Sequence, residues 1–216
     1  MSELLLSPAE ARVVAALVEK SIATPAYYPM TVNALMLACN QKTSRSPVTS
    51  LTEGEVGAAL NRLEELKLVA RDSFSGRVQK WRHQFLHQML LKPQTQAVLV
   101  TLMLRGPQTL AELRANAEGI GGPHDADSIN AALQDLSDRA QPLVAQLARA
   151  PGQSASRWAH TLSGAPSESE VYVPSAAPVA AVADSVGERV TLASLTARVE
   201  ALEARLAGLE AALGGG

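Results

Sequence analysis

Aromatic side chains make up only 3% of this 216-residue chain, as two Trp, three Tyr and two Phe. Its core must therefore be mostly Leu, Val and Ala, which fits a small, helix-rich architecture. There is one cysteine, Cys39, so no intramolecular disulfide framework can form, and the usage suits a reducing compartment. Neither charge sign dominates: the formal net charge is -2 and the pI is about 6.1. A globally basic nucleic-acid binder is excluded, and any DNA-facing surface must be a local patch. No stretch approaches the ~18 apolar residues of a membrane span. The start, MSELLLSPAE, lacks the basic opening and long apolar segment of a signal peptide. The expectation is a soluble, cytoplasmic protein of one or two domains.

Catalytic constellations are missing as well. A Cys39 nucleophile would need a base and an activating setting, and His83, His87, His124 and His160 form no Cys-His signature with it. Cys39 also falls on an apolar stripe with Val32, Leu35 and Met36, so a small buried core role is expected. His83 and His87 have the four-residue spacing of a zinc pair on a helix, but His83 ends an expected strand and no Cys or carboxylate cluster completes a site. Gly119-Ile120-Gly121-Gly122 lacks the lysine and the strand-to-helix setting of a phosphate loop and reads as a flexible turn. Glu64 and Glu65 have no cleft to raise either pKa. The residues predict no enzyme, no cofactor and no metal.

What the chain does have is a repeat. Ser7-Pro8-Ala9-Glu10 is a capping box with proline at the first helical position, and Val13, Val14, Leu17 and Val18 follow at helical spacing. A short helix is expected after Thr31. Thr52-Glu53-Gly54-Glu55 is a second capping box, starting a helix that buries Val56, Ala59, Leu60, Leu63 and Leu66. Residues 68–71 and 78–81 then read as two strands, with Ser75-Gly76 as their turn. The order recurs. Leu91-Lys92-Pro93 matches Leu6-Ser7-Pro8, and Val98, Leu99, Leu102 and Met103 follow. Thr109 to Glu112 is a third capping box, and Asp125 caps a helix burying Ile129, Ala132, Leu133 and Leu136. Residues 143–147 and 156–161 form a second hairpin. Both copies carry Ala-Ala-Leu, at 58–60 and 131–133, and a basic residue before Trp with His two after it, at Lys80-Trp81-Arg82-His83 and Arg157-Trp158-Ala159-His160.

The expected fold class is mostly α with small β-hairpins, an α+β architecture of tandem winged helix-turn-helix domains followed by a C-terminal coiled-coil helix. The expected boundaries are 1–88 and 89–163 for the two winged domains, 164–187 for a Pro/Ala-rich linker, and 188–213 for the coil. In that last segment Leu192, Leu195, Val199, Leu202, Leu206, Leu209 and Leu213 alternate spacings of three and four, which is a coiled-coil seam. With Leu192 at position a, Arg198 would face Glu203 and Arg205 would face Glu210 in a parallel pair, so a parallel homodimer is expected. The alternative is one amphipathic helix folded back on its own domains.

The stretch TPAYYPMTVNALMLACNQKTSRSPV, followed by LTEGEV, resembles the bacterial YceH-like family. The resemblance is closest at Thr24-Pro25, Tyr28-Pro29, Val32-Asn33, Ala38 to Thr43, Arg45 and Pro47-Val48. It implies two winged-helix domains with a coiled-coil-like tail, and brings no catalytic residues to carry over.

A winged helix usually places its third helix in the major groove and its wing against phosphates. In the first copy the outward face of that helix shows Gly57, Ala58, Asn61, Arg62 and Glu65. Asn61 could pair with adenine, and Arg62 with guanine or phosphate. Yet residues 52–67 carry a net charge of -2, whereas phosphate neutralisation rewards cations. The second copy shows Asn130, Ala131, Gln134, Asp135 and Asp138, with no cation. Positive charge lies instead at Lys67, Arg71, Arg77, Lys80 and Arg82 of the first hairpin, with Lys42 and Arg45, beside Thr43, in the loop before the third helix. The leading reading is binding of double-stranded DNA by the first domain, through Lys42, Thr43, Arg45, Asn61, Arg62, Arg71, Arg77, Lys80 and Arg82. The alternative is a protein–protein scaffold using the acidic second copy, the small Gly57-Ala58 surface and the coil. Replacing Lys42 and Arg45 together is expected to weaken DNA binding and leave folding intact; unfolding would mark the loop as structural.

Overall fold

The computed structural model describes residues 4–73, 76–149 and 155–165. These lie within one unit spanning Met1–Ser175, with a second unit at Ala176–Gly216. Residues 166–187 of the expected linker and the whole coil, including the seam from Leu192 to Leu213, lie outside the described residues, as does Ser75 of the first turn.

The architecture is α+β, with helices and small antiparallel hairpins. Helix α1 (Pro8–Ala23) is followed by a short 3-10 turn (Pro25–Tyr27), α2 (Val32–Cys39) and α3 (Glu53–Glu65). Strands β1 (Val69–Arg71) and β2 (Trp81–His83) come next, and the four-residue α4 (Phe85–Gln88) leads to the second copy. There α5 (Pro93–Arg105), α6 (Leu110–Ala117), a 3-10 turn (Glu118–Ile120) and α7 (Ala126–Ser137) precede β3 (Val144–Gln146) and β4 (Trp158–His160). Ser7, Thr52 and Thr109 each accept from the amide three residues on, and Glu10, Glu55 and Glu112 reach back to complete all three capping boxes. The second strand of the first hairpin starts at Trp81, three residues later than the expected 78–81.

The matched tryptophans have one structural job in both copies. Trp81 exchanges backbone hydrogen bonds with Met30, at 2.8 and 3.1 Å, and Trp158 does the same with Gln108, at 2.7 and 2.9 Å. Met30 and Gln108 each lie one residue before the cap of the copy's second helix, at Thr31 and Thr109. Each hairpin is thus tied to the start of α2 or α6 by a one-residue bridge. The histidines pair with the first residue of the opposite strand, His83 with Val69 and His160 with Val144.

One hydrophobic cluster runs through both copies. Residues 11–19 of α1 and 95–104 of α5 are buried without a break, so these two helices are enclosed on every side and pack on each other. Backbone and side-chain bonds tie the copies at two further places. Leu6 N donates to Leu162 O at 2.7 Å, while Gln141 pairs with both backbone groups of Leu4. Ser46 N donates to Leu104 O at 2.9 Å. In the glycine turn of the second copy Gly121 is exposed and left-handed at φ 79°, whereas Gly122 is closely packed: a Cβ on it would stand 2.5 Å from that of Ala117.

Candidate functional site

The connection between α2 and α3, residues 40–51, is folded around two side chains. The Asn40 amide reaches across the loop, donating to Leu51 O at 2.7 Å and accepting from Leu51 N at 2.8 Å and from the Thr49 hydroxyl at 3.1 Å. One asparagine closes the loop as a strand pair would. Arg45 points inward, with none of its side chain exposed. Its guanidinium binds both carboxylate oxygens of Glu19, at 2.6 and 3.0 Å, and also donates to Ala38 O and Ser44 O. Burial pushes the Glu19 carboxyl up, but the Arg45 hydrogen bonds and charge outweigh it and hold the group below its ordinary range.

Arg12 is the second enclosed cation, donating to Cys39 O at 3.4 Å and Pro47 O at 2.8 Å. Arg12 and Arg45 therefore cap the C-terminal carbonyls of α2, where the helix dipole favours positive charge. From the second copy, Arg105 donates to Ser44 Oγ at 2.7 Å. Lys20 completes the group, 3.0 Å from Gln41 Oε1 and 3.3 Å from Glu19. Burial pushes the Cys39 thiol up to about 12, against the pull of Arg45 and Arg12; the sulfur's contact is with Arg12 O.

The nine residues expected to face nucleic acid separate into three groups. Lys42 and Thr43 are exposed on the loop, while Arg45 beside them is enclosed. The outward face of α3 is already internally paired: Arg62 binds Glu65 at 2.7 Å, and Arg71 of β1 binds Glu64 at 3.1 Å and approaches Asn61 Oδ1 at 3.5 Å. Arg71 also lies over the Trp81 ring, 5.2 Å from its centroid. On the hairpin, Arg82 binds the buried carboxylate of Asp72, Arg77 is exposed, and Lys80 is half-buried with its carbonyl accepting from Asp72 N. Arg45 thus corrects the reading of the loop cations as a uniformly outward set. The carbonyls of Ala38 and Ser44 and the carboxylate of Glu19 hold its guanidinium inward, and Glu19 neutralises it.

The family profile described as "Protein of unknown function, DUF480" matches residues 6–153. The chain belongs to the DUF480 family. Proteins called UPF0502 protein are its relatives. One from Geobacter sulfurreducens is 44% identical over 164 residues, covering 76% of this chain and 75% of the relative. One from Azoarcus sp. is 44% identical over 208 residues, covering 96% and 90%. One from Burkholderia vietnamiensis is 48% identical over 159 residues, covering 74% and 67%. No helix among the described residues is long and apolar enough to cross a membrane, and no group of three metal-ligating side chains occurs among them.

Some features of this DUF480 chain escape a reading of motifs. Arg12 and Glu19 are seven residues apart in α1, hence on one helix face, and both are buried. Two opposite charges inside an apolar run were the available signal. A second feature is the uncharged segment from Ser21 to Thr31. Ile22, Ala23, Pro25, Ala26 and Tyr27 are exposed along it, Tyr27 by 79%. Hydrogen bonds tie the segment to α1 and β2. Thr24 Oγ1 donates to Lys20 O at 3.2 Å, Ser21 Oγ lies 3.0 Å from His83 Nε2, and the Tyr28 hydroxyl accepts from His83 N at 2.6 Å. Because the Ser21 hydroxyl proton goes to Val18 O, at 2.7 Å, His83 must donate through Nε2, leaving buried Nδ1 as an unpartnered acceptor.

Proposed function

We propose that this protein is a non-enzymatic interaction module built from two winged-helix units, whose first copy docks a protein partner on the segment Ile22–Tyr27. The reading of the two copies as winged helices is supported by the repeated order of three helices and a hairpin, by the matched Trp bridges, and by the resemblance to the YceH-like family. The observation that carries the docking surface is Tyr27. The chain has only three Tyr, two Trp and two Phe, and among the described residues the Tyr27 ring is the one that stands in solvent, amid exposed Ile, Ala and Pro, on a backbone tied by hydrogen bonds. Exposed apolar patches with a rigid aromatic are typical of protein interfaces. The enclosed thiol of Cys39 supports a structural rather than a nucleophilic role. The heptad seam from Leu192 to Leu213 supports a parallel homodimer that would present two such surfaces.

The test is affinity capture from nuclease-treated cells with the full chain and with Ile22→Ser and Tyr27→Ser together. A partner recovered stoichiometrically by the first and lost by the second is the expected result. Identical recoveries, or none, would refute the surface.

Duplex DNA remains the second reading, favoured by charge asymmetry. Residues 4–88 contain ten Lys and Arg against seven Asp and Glu, whereas residues 89–163 contain six of each. The pairing of Arg62, Arg71 and Arg82 with acids argues against base reading by α3 and leaves backbone contacts by the hairpin and loop. Low-salt binding to random and genomic duplexes, compared with Arg77→Ala plus Lys80→Ala, decides it. Absence of binding, or binding untouched by the variant, removes this reading.

A further inference from the structure

Glu19 is the one carboxylate whose charge is felt by four cationic side chains, Arg12, Lys20, Arg45 and Arg105. Lys20 and Arg45 form ion pairs with it, and Arg12 and Arg105 interact electrostatically with both Glu19 and Arg45. No second acid enters this group among the described residues. The C-termini of α2 and α5 offset part of the excess, at about half a charge each, which leaves roughly two positive charges unmatched at a half-buried junction. Excess charge away from bulk water is costly unless a counterion neutralises it.

The unused hydrogen-bonding capacity of this group lies on Arg105, Lys20 and Arg12. Arg45 is fully occupied and Glu19 is held on both oxygens. Arg105 has five donors and gives one terminal nitrogen to Ser44 Oγ. Lys20 has three, with contacts to Glu19 and Gln41. The buried Nε of Arg12, a residue only 4% exposed, has no partner. Burial and the charge of Arg45 both act against the protonated form of Arg12, and a bound anion would relieve that repulsion.

We propose that Lys20, Arg105 and Ser44 form a binding site for a phosphate group, at the junction of α1, the 40–51 loop and the end of α5. A guanidinium, an ammonium and a hydroxyl suit the several acceptor oxygens of phosphate better than the two of a carboxylate. Inorganic phosphate, small phosphorylated compounds and a nucleic-acid backbone all carry this group. Because the residues come from both copies, occupancy would clamp the loop to α5. This inference is independent of the Tyr27 surface, which uses no charged residue.

The test is calorimetric titration of the full chain with inorganic phosphate and with pyrophosphate, ionic strength held constant with sodium chloride, alongside thermal unfolding. Saturable binding and a rise in Tm are expected. Both should be lost in Lys20→Gln with Arg105→Gln and retained in Lys67→Gln, which alters an exposed cation at the end of α3. Should the double variant fail to fold, Lys20→Gln alone is expected to weaken binding at least tenfold. A short duplex DNA forms the second arm: protection by duplex and by phosphate, both lost in the variant, would assign the group to a nucleic-acid backbone. No response to phosphate or pyrophosphate beyond that to chloride, or an undiminished response in the variants, would overturn the site.

Discussion

Arg45 and Glu19 form a two-point ion pair inside the protein, at 2.6 and 3.0 Å, with the arginine side chain wholly enclosed. Removing one partner from such a pair leaves the other charged, desolvated and unmatched, a loss of about 3–5 kcal/mol. Arg45→Ala is therefore expected to destabilise the protein by roughly 3 kcal/mol, near the lower bound because Glu19 keeps some solvent contact. It also unties the carbonyls of Ala38 and Ser44. Lys42→Ala, three residues away and exposed, should change stability by less than about 0.5 kcal/mol. Urea unfolding of the two single variants separates them, and equal midpoints would contradict the enclosed pair.

Asn40 provides a second, separate test of the loop. Its amide makes three hydrogen bonds, two to the backbone of Leu51 and one to Thr49. Asn40→Ala leaves a half-buried N–H and C=O to find water, at a cost of about 1–3 kcal/mol. Asn40→Asp keeps the acceptor and loses the donor, so an intermediate loss is expected. Amide hydrogen exchange at Leu51 should accelerate in both variants, and unchanged protection would show that the loop is closed by something else.

The repeat, its caps and the faces of α3 and α7 were legible because each depends on residues close in sequence. Ser7 with Glu10, Thr52 with Glu55, and Thr109 with Glu112 are each settled within one helical turn. Val56, Leu60 and Leu63 mark one buried side of α3 because only one side is covered. The same stripe reading understated α1 and α5. It assigned Val13, Val14, Leu17 and Val18 to the core, but Ala11, Ala15 and Ala16 are equally buried, since each first helix packs against both copies. Arg45 was misread for a related reason. Its partner lies 26 residues earlier, and nothing local distinguishes an arginine facing water from one facing a distant carboxylate. The first hairpin is displaced from 78–81 to 81–83 because its register is fixed by the bridge from Met30 to Trp81, a long-range pairing.

The matched histidines predict a loss of stability in mild acid. Burial, with a contribution from His87, lowers the pKa of His83 to about 4 from an ordinary 6.5, and burial alone does the same to His160. A group whose folded pKa is depressed takes up its proton more readily in the unfolded chain. Its stabilising contribution is complete above pH 6.5 and is lost as pH falls from 6.5 toward 4. Glu19 acts in a lower window: its depressed folded pKa gives stability present above its ordinary 4.5 and lost as pH falls below it. Unfolding midpoints are expected to be flat from pH 8 to 7 and to drop between pH 6.5 and 5. His83→Gln with His160→Gln should flatten that drop while leaving the loss below pH 4.5. A wild-type midpoint unchanged at pH 5 would contradict the buried neutral rings.

Two glycines predict opposite responses to the same substitution. Gly57 lies within α3, and a Cβ there would meet no heavy atom within 4 Å. Alanine is favoured over glycine inside a helix by about 1 kcal/mol, so Gly57→Ala is expected to raise stability by up to that amount. Gly122 is different: an added Cβ would lie 2.5 Å from Ala117 Cβ and 2.7 Å from its carbonyl oxygen, and its own N–H donates to that oxygen at 2.8 Å. Relieving the clash must move the backbone out of this bond, so Gly122→Ala should destabilise by about 1–3 kcal/mol. Thermal unfolding of the pair gives both signs in one experiment. The Gly57 variant carries a second readout, because it stays folded while adding a methyl group to the open face of α3. Partner capture reduced by Gly57→Ala at higher stability would place that face in an interface, and unchanged capture would confine docking to the Tyr27 segment.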